Sequence, residues 1–280
     1  MIKDLSQLTV CILTHNRCEQ VLKSLERIIC ELSDSKCSIL ILDNKSSDNS
    51  VNAISLLIEN YDCIKIIKSI QNLGVSKGRE VLWAQAKTKY ILSLDDDILL
   101  RKRDVENLLL HIERSTNIGI VSPEIIDSNS GRVLNPININ NLEALSFYEA
   151  CFMFRRSVLQ KVGYFDSELS VAGEGLDYSI RLRRCGFKIM RTPDVKVIHV
   201  DRQRSIIDIS ERKLVWAWSF SYVFWKNFAF PIATMKTFRL FIAHIHAGIP
   251  KYGVKHLLAL VIYIVRGAKL GGMNRQKNNT

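Results

Sequence analysis

Short apolar runs alternate with longer stretches of helical period between residues 8 and 122. Runs rich in Val, Ile and Leu at 8–14 (LTVCILT), 38–43 (SILILD), 63–68, 89–95 (KYILSLD) and 118–122 predict strands. Between them, Val21, Leu22, Leu25, Ile28, Ile29 and Leu32 recur at the spacing of one helix face and predict a helix over 19–31. A second such stretch covers 104–114. Alternation of this kind predicts an α/β fold with a doubly wound, mostly parallel central sheet flanked by helices. Such sheets bind ligands beyond the carboxyl ends of their strands, so the residues that follow each strand matter most.

Those ends are polar. The first strand runs into Thr14-His15-Asn16-Arg17, the second into Asp43-Asn44-Lys45-Ser46-Ser47-Asp48 and the third into Asn72-Leu73-Gly74. The fourth ends in Asp95-Asp96-Asp97. Asn, Asp, Ser and Gly also close turns and cap helices for purely local reasons. Four consecutive strands delivering amides, hydroxyls, a guanidinium and carboxylates to one sheet edge point instead to a ligand site.

Three adjacent carboxylates repel one another unless a cation or hydrogen-bond donors offset them. If the extended backbone continues, Asp95 and Asp97 share a face and Asp96 points away. Two hard oxygen ligands suit Mg²⁺ or Mn²⁺ bound together with a nucleotide's phosphates. The alternative is a solvated acidic turn in which Asp97 caps the next helix.

Charge divides the chain. The net charge is +11 over 280 residues, yet no Asp or Glu follows Glu211, while 212–280 carries 11 Lys and Arg and 12 of the 23 aromatic residues. No apolar run there reaches the 18 or so residues of a spanning helix: Lys226 and Pro231 break the first segment and Arg266 ends the second. Trp and Tyr mixed with Lys and Arg are typical of helices lying in the membrane interface, and predict peripheral attachment to an anionic membrane surface. Two alternatives stand: aromatic helices packed on the α/β domain, and a nucleic-acid surface, which the long apolar runs disfavour. Seven Cys, an odd number with no CxxC spacing, argue against a disulfide framework and a Cys-rich zinc site and point to a reducing setting, and the N-terminal residues carry no long apolar segment of a secretory signal. The expected location is therefore cytoplasmic, peripheral on the cytoplasmic face of the membrane, with domains at 1–205 and 206–280.

The ordered set LTVCILTHNR, ILDNKSSDNS, NLGVSKGRE, YILSLDDDI, YEACFMFRRSVLQKVGYFD and GEGLDYSIRLRRCGFKI resembles the family 2 glycosyltransferases over roughly residues 6–200. The resemblance implies the GT-A fold and inverting transfer of a sugar from a nucleotide diphosphate sugar to an acceptor hydroxyl, in cell-surface polysaccharide or lipid-linked glycan synthesis. It places Thr14, Asn16 and Arg17 at the nucleotide, Asp43, Asn44 and Ser46 at base and ribose, and Asn72, Gly74 and Arg79 near base and diphosphate, with Asp95 and Asp96 completing the donor site. Asp95-x-Asp97 matches the DxD metal motif, and His199 falls where members supply a further ligand to Mn²⁺ or Mg²⁺.

The acceptor side departs from the pattern. Where the family carries the Asp of a Glu-Asp pair as base, this chain reads Glu174-Gly175. Glu174 and Asp177 are the nearest carboxylates; with Arg181 they fall on one helical face, and Asp177 could equally pair with Arg181 at i+4. A non-catalytic sugar-nucleotide-binding protein and a sugar nucleotidyltransferase are the competing functions. The latter lacks support, because THNR stands where a Gly-rich phosphate loop would.

Overall fold

The computed structural model describes residues 4–138, 140–200 and 209–278, excepting the side chains of 209–210, 245–257 and 277–278. In chain order the elements are β1 (Leu8–Thr14), α1 (Cys18–Leu32), β2 (Ser38–Asp43), α2 (Ser50–Leu57), β3 (Ile64–Lys68), α3 (Gly74–Gln85), β4 (Tyr90–Asp95), β5 (Ile98–Leu99) and α4 (Lys102–Glu113). There follow β6 (Ile118–Asp127), β7 (Glu143–Ala144), β8 (Cys151–Arg155), α5 (Val158–Val162), α6 (Glu174–Arg184), β9 (Lys188–His199), α7 (Ile209–Asn227) and α8 (Phe230–Asn278). The five strands and two helices expected from periodicity all form, within a few residues of the expected ends.

The sheet is mixed. Its order is β3-β2-β1-β4-β8-β6-β9-β5, with β7 on β9. The β1, β2, β3 and β4 pairings are parallel, as is β6 on β9, but β8 lies antiparallel between β4 and β6. All five residues of β8 are buried. Such a strand reads as an apolar run whichever way it points, so periodicity could not reveal its direction.

Alternating side chains divide the core between the two sheet faces. Val10 and Ile12 of β1 join Val21, Leu25 and Ile28 of α1 and Val105, Leu108 and Ile112 of α4. On the other face Cys11, Ile91, Phe152 and Phe154 pack with Trp83 of α3 and with Tyr178 and Leu182 of α6. Trp83 is fully enclosed, its ring 4.9 Å from Phe154 and 4.8 Å from Phe165 in edge-on contacts. Glycine at 78 lets α3 approach β1: a Cβ there would stand 2.7 Å from Leu13 Cδ1. Helix α1 starts on the Asp48 carboxylate, which accepts from Cys18 N–H at 3.1 Å, and α4 on Asp104, which accepts from Arg101 N–H at 3.0 Å.

The chain divides into two compact units, residues 4–167 with 178–200 and residues 168–177 with 209–278. The boundary expected at 205/206 lies outside the described residues. In the second unit α7 and α8 pack around Ala217, Leu260 and Ile264. A Cβ on Gly267 or Gly271 would stand 2.3 Å from the backbone oxygen of Trp218 or Tyr222, so only glycine permits this approach. Ser221 Oγ donates to the Ile264 carbonyl at 2.8 Å, and Arg275 Nη1 donates to the Phe228 carbonyl at 2.6 Å. Thr237, near the start of α8, accepts from Trp225 Nε1 at 3.0 Å. In a straight helix Thr237 and Arg275 would stand roughly 57 Å apart at 1.5 Å per residue, yet both meet the end of α7, so α8 turns back on itself between them.

Because Trp83 anchors the aromatic face of the sheet, Trp83→Ala should lower the unfolding free energy by about 3–5 kcal/mol in urea denaturation, with Trp83→Phe costing less.

Candidate active site

Pairing of β1 with β2 and β4 brings the first, second and fourth strand ends together: Thr14 stands opposite Asp43, and Leu13 opposite Asp95. The loops then interlock through short polar side chains. Asn16, in the left-handed region at φ 52°, donates its N–H to Ser46 Oγ at 2.9 Å and accepts from Ser47 N–H at 2.6 Å through its side-chain oxygen. Asn44 is buried and spans to the third loop: Nδ2 donates to Asn72 Oδ1 at 3.1 Å, and Oδ1 accepts from Leu73 N–H at 2.8 Å. Asn72 Oδ1 also accepts from Gly74 N–H at 2.9 Å, where φ is +70° and glycine is favoured. Asp43 is buried; Oδ2 accepts from Ser46 N–H at 3.0 Å, while Oδ1 meets no donor among the described residues.

The extended backbone does not persist through the acidic triplet. β4 ends at Asp95, and Asp96 and Asp97 form a turn before β5. Each carboxylate takes different partners. Asp95 Oδ1 accepts from Arg79 Nη2 at 2.6 Å. Asp96 accepts from Thr14 Oγ1 and from Arg17 Nη1, both at 2.7 Å. Asp97 accepts from Arg17 Nη2 at 2.6 Å through Oδ2, and its Oδ1 lies 3.1 Å from His199 Nε2. Asp97 does not cap the next helix, whose N-cap is Arg101.

Burial sets the electrostatics. It pushes the Asp96 carboxyl up to about 7, against the Arg17 charge and the Thr14 hydroxyl. Burial works the same way on Asp97, but the His199 hydrogen bond and charge, with Arg17, outweigh it and hold that carboxyl below its ordinary value. The two adjacent acids therefore end on opposite sides of the ordinary carboxylate value: Asp97 is held below it and Asp96 is raised above it.

The turn still brings Asp95 and Asp97 together with His199. Ligand atoms of the three lie within 4.8 Å of one another, the only such grouping of three or more His, Cys, Asp or Glu among the described residues. Pairing of Ile98 with His199 across β5 and β9, and donation of Val200 N–H to the Asp97 carbonyl at 2.8 Å, carry the histidine there. Two hard oxygens with one imidazole fit Mn²⁺ well; Mg²⁺ shares the oxygen preference but favours all-oxygen shells. Arg79 is almost fully buried between the rings of Phe152 and Phe165, and its Nε and Nη1 meet no acceptor among the described residues. Its neighbour Glu80 pairs on the surface with Lys77 at 3.3 Å.

All thirteen positions expected for donor and metal thus belong to the first unit. Glu174 and Asp177 occupy the first turn of α6, which groups with the second. Both are buried. Asp177 Oδ1 lies 2.9 Å from Lys226 Nζ and accepts from Asn227 Nδ2 at 2.8 Å, while Arg181 donates to the carbonyls of Val162 and Tyr164. Sequence reasoning noticed Lys226 only as a break in an apolar run; its carboxylate partner explains the break.

The model of "Glycosyl transferase family 2" matches residues 9–163, more than half of the chain. The chain belongs to glycosyltransferase family 2. It is a nucleotide-sugar glycosyltransferase of glycan synthesis. A second family model, "Glycosyl transferase family group 2", matches residues 90–270. The chain is 22% identical over 219 residues to a dTDP-rhamnosyl transferase of Shigella flexneri, covering 72% of this chain and 71% of that one. It is 25% identical over 230 residues to a hexosyltransferase of low-salt glycan biosynthesis in Haloferax volcanii, covering 73% and 70%. Among solved structures, a Pyrobaculum calidifontis mannosyltransferase in complex with GDP-Man and Mn²⁺ superposes with a TM-score of 0.65 at 16% identity, over 98% of this chain and 88% of that one. S. aureus TarS 1–349 in complex with UDP-GlcNAc superposes at 0.68 and 13% identity, over 93% and 81%. These likenesses show the GT-A fold in this family 2 member.

Asp43 Oδ1 is a buried acceptor with no donor among the described residues, at the position that the sequence resemblance assigns to base and ribose. Asp43→Ala should weaken nucleoside diphosphate binding by about 10- to 100-fold, the worth of a hydrogen bond to a charged group, in calorimetric titrations with UDP, GDP and dTDP.

Proposed function

We propose that this glycosyltransferase is metal-dependent and inverting, takes its proton from the acceptor hydroxyl on Glu174, and works at an anionic membrane surface on a glycan or lipid-linked acceptor. The observation that carries the metal reading is the convergence of Asp95, Asp97 and His199. Mn²⁺ or Mg²⁺ would be held by these three, and when bound supplies positive charge that offsets the diphosphate leaving group. The Pyrobaculum calidifontis mannosyltransferase, solved in complex with GDP-Man and Mn²⁺, supports the same reading.

The chain's own residues do the rest. Asn44, Asn72 and the Gly74 backbone fix the loops around the base and ribose, and Asp43 offers the buried acceptor. Arg17 and Thr14 hold Asp96 and Asp97 in register, and Arg79 holds Asp95. Inversion by single displacement requires a base on the acceptor side. Glu174 is our choice because it stands at the family's Glu-Asp position, whereas Asp177 is wholly enclosed and committed to Lys226 and Asn227.

Attachment to lipid rests on α8. No helix among the described residues is long and apolar enough to cross a membrane. Phe238, Leu258, Val261, Ile262 and Val265 are nonetheless exposed, the last four at the i, i+3, i+4, i+7 spacing of one helix face. Exposed Arg239, Arg266 and Lys269 accompany them in a segment without a single carboxylate, a charge pattern complementary to anionic headgroups. A cytoplasmic-face location follows from this proposal together with the reduced-cysteine reading.

The enzyme reading is tested with a panel of UDP-, GDP- and dTDP-sugars, scored for nucleoside diphosphate release with mixed lipid and glycan acceptors. Excess chelator or Asp97→Asn should lower turnover at least about 100-fold, and Glu174→Gln should do the same while nucleotide affinity stays within about twofold. Activity that survives chelation would overturn metal dependence, and an unimpaired Glu174→Gln would overturn the base. Separately, the chain should float with phosphatidylglycerol-containing vesicles and stay behind with pure phosphatidylcholine; no flotation at low salt would contradict the lipid proposal.

A further inference from the structure

Helix α7 grips α6 on both sides of Glu174. The grip comes from one face of α7, through Ser219, Val223, Lys226 and Asn227, spaced i, i+4, i+7 and i+8. Before the glutamate, Gly173 adopts φ +86°, and a Cβ on it would stand 3.4 Å from Val223 Cγ2 and 3.5 Å from Ser219 Cβ. After it, Asp177 is fully buried, with Lys226 Nζ at 2.9 Å and Asn227 Nδ2 at 2.8 Å on the same carboxylate oxygen. The two ends are tied to each other, since Asp177 N–H donates to the Gly173 carbonyl at 2.9 Å. The Asn227 amide is itself oriented by donation to the Val223 carbonyl at 3.0 Å. Residues 168–177 accordingly group with the C-terminal helices although the rest of α6 does not.

We propose that Lys226 and Asn227 are positioning residues for the reaction: through Asp177 they fix the first turn of α6, and with it the Glu174 carboxylate that meets the acceptor hydroxyl. The inference rests on Glu174 being the base. Its physical ground is the cost of the arrangement. A Lys side chain only 8% exposed, set within an aromatic segment, loses hydration that an apolar residue of similar size would not lose. Apolar packing would join the helices as firmly, but it could slide or rotate. A charge pair with an oriented amide on the same oxygen has one register, and catalysis is sensitive to displacements near 1 Å.

The decisive variants are Lys226→Met, Lys226→Arg, Asn227→Ala, the neutral pair Asp177→Asn with Lys226→Met, and Glu174→Gln alone and combined with that pair. Each is assayed with the donor that the UDP, GDP and dTDP panel identifies. Lys226→Met strands a buried carboxylate and can cost the fold, which is why the neutral pair decides. We expect the neutral pair and Asn227→Ala to lower kcat by about 10- to 100-fold, with donor KM and Mn²⁺ affinity within about twofold of the parent. Lys226→Arg should recover most of the rate. Added to Glu174→Gln, the neutral pair should cost nothing more, because Lys226 acts through Glu174. Parental kcat in the neutral pair would overturn the proposal, as would an equal loss of nucleotide affinity or a further drop on the Glu174→Gln background. Full turnover in Glu174→Gln alone would instead remove the base reading, whatever the Lys226 variants do.

Discussion

Three neighbouring carboxylates at the end of β4 are the constraint around which this sheet edge is arranged. A buried ion costs several kcal/mol unless it is paired, and like charges side by side add to that. The chain answers with partners drawn from three parts of the sequence: Arg79 of α3 for Asp95, Thr14 and Arg17 for Asp96, and the same Arg17 together with His199 for Asp97. Those partners can arrive only if β1 lies beside β4 and β5 lies beside β9, which is what the sheet order provides. Topology and charge compensation are thus one problem. A sheet order that parted β1 from β4, or β5 from β9, would take Arg17 or His199 from the acids they meet.

The rest of this sheet edge is built differently. Its loops are tied by amides and hydroxyls, Asn16 to Ser46 and Ser47, Asn44 to Asn72 and Leu73, with left-handed backbone at Asn16 and Gly74. Neutral cross-links of this kind hold a loop without adding a field that would compete with a bound phosphate or metal. Ion pairs are concentrated at the end of β4, and neutral cross-links at the ends of β1, β2 and β3.

How much of this is legible in the sequence depends on the range of the interaction. Strands β1 to β4 and helix α1 follow from periodicity, because burial on both sheet faces or on one helix face imprints residue spacing locally. The polar strand ends are legible for the same reason, and the ordered motifs add the family. The antiparallel insertion of β8 is not, since a fully buried pentapeptide carries no mark of its direction. Nor is the turn at Asp96 and Asp97, where pairing with Arg17, 79 and 80 positions away, overrides the alternation expected of an extended strand. The attachment of Asp177 spans about 50 residues to Asn227, and no short-range pattern announces it.

That attachment changes what the net charge of +11 means. Placed wholly in the C-terminal region, the excess of cations could be taken as one surface directed at one partner. The structure separates it by burial. Lys226 is enclosed and serves Asp177; Arg275 donates to the carbonyl of Phe228 at the end of α7; Lys236 lies over the rings of Phe224 and Phe228. These cations hold helices together and leave little field for a distant anion. Arg239, Arg266 and Lys269 are exposed beside exposed apolar side chains of the same helix. Only this second group combines charge with apolar surface as a headgroup layer requires. The same two helices therefore carry cations turned inward, of which Lys226 holds the turn that bears Glu174, and others turned outward. Gly267 and Gly271 hold α7 and α8 at backbone contact, so both sets of cations belong to one closely packed helix pair.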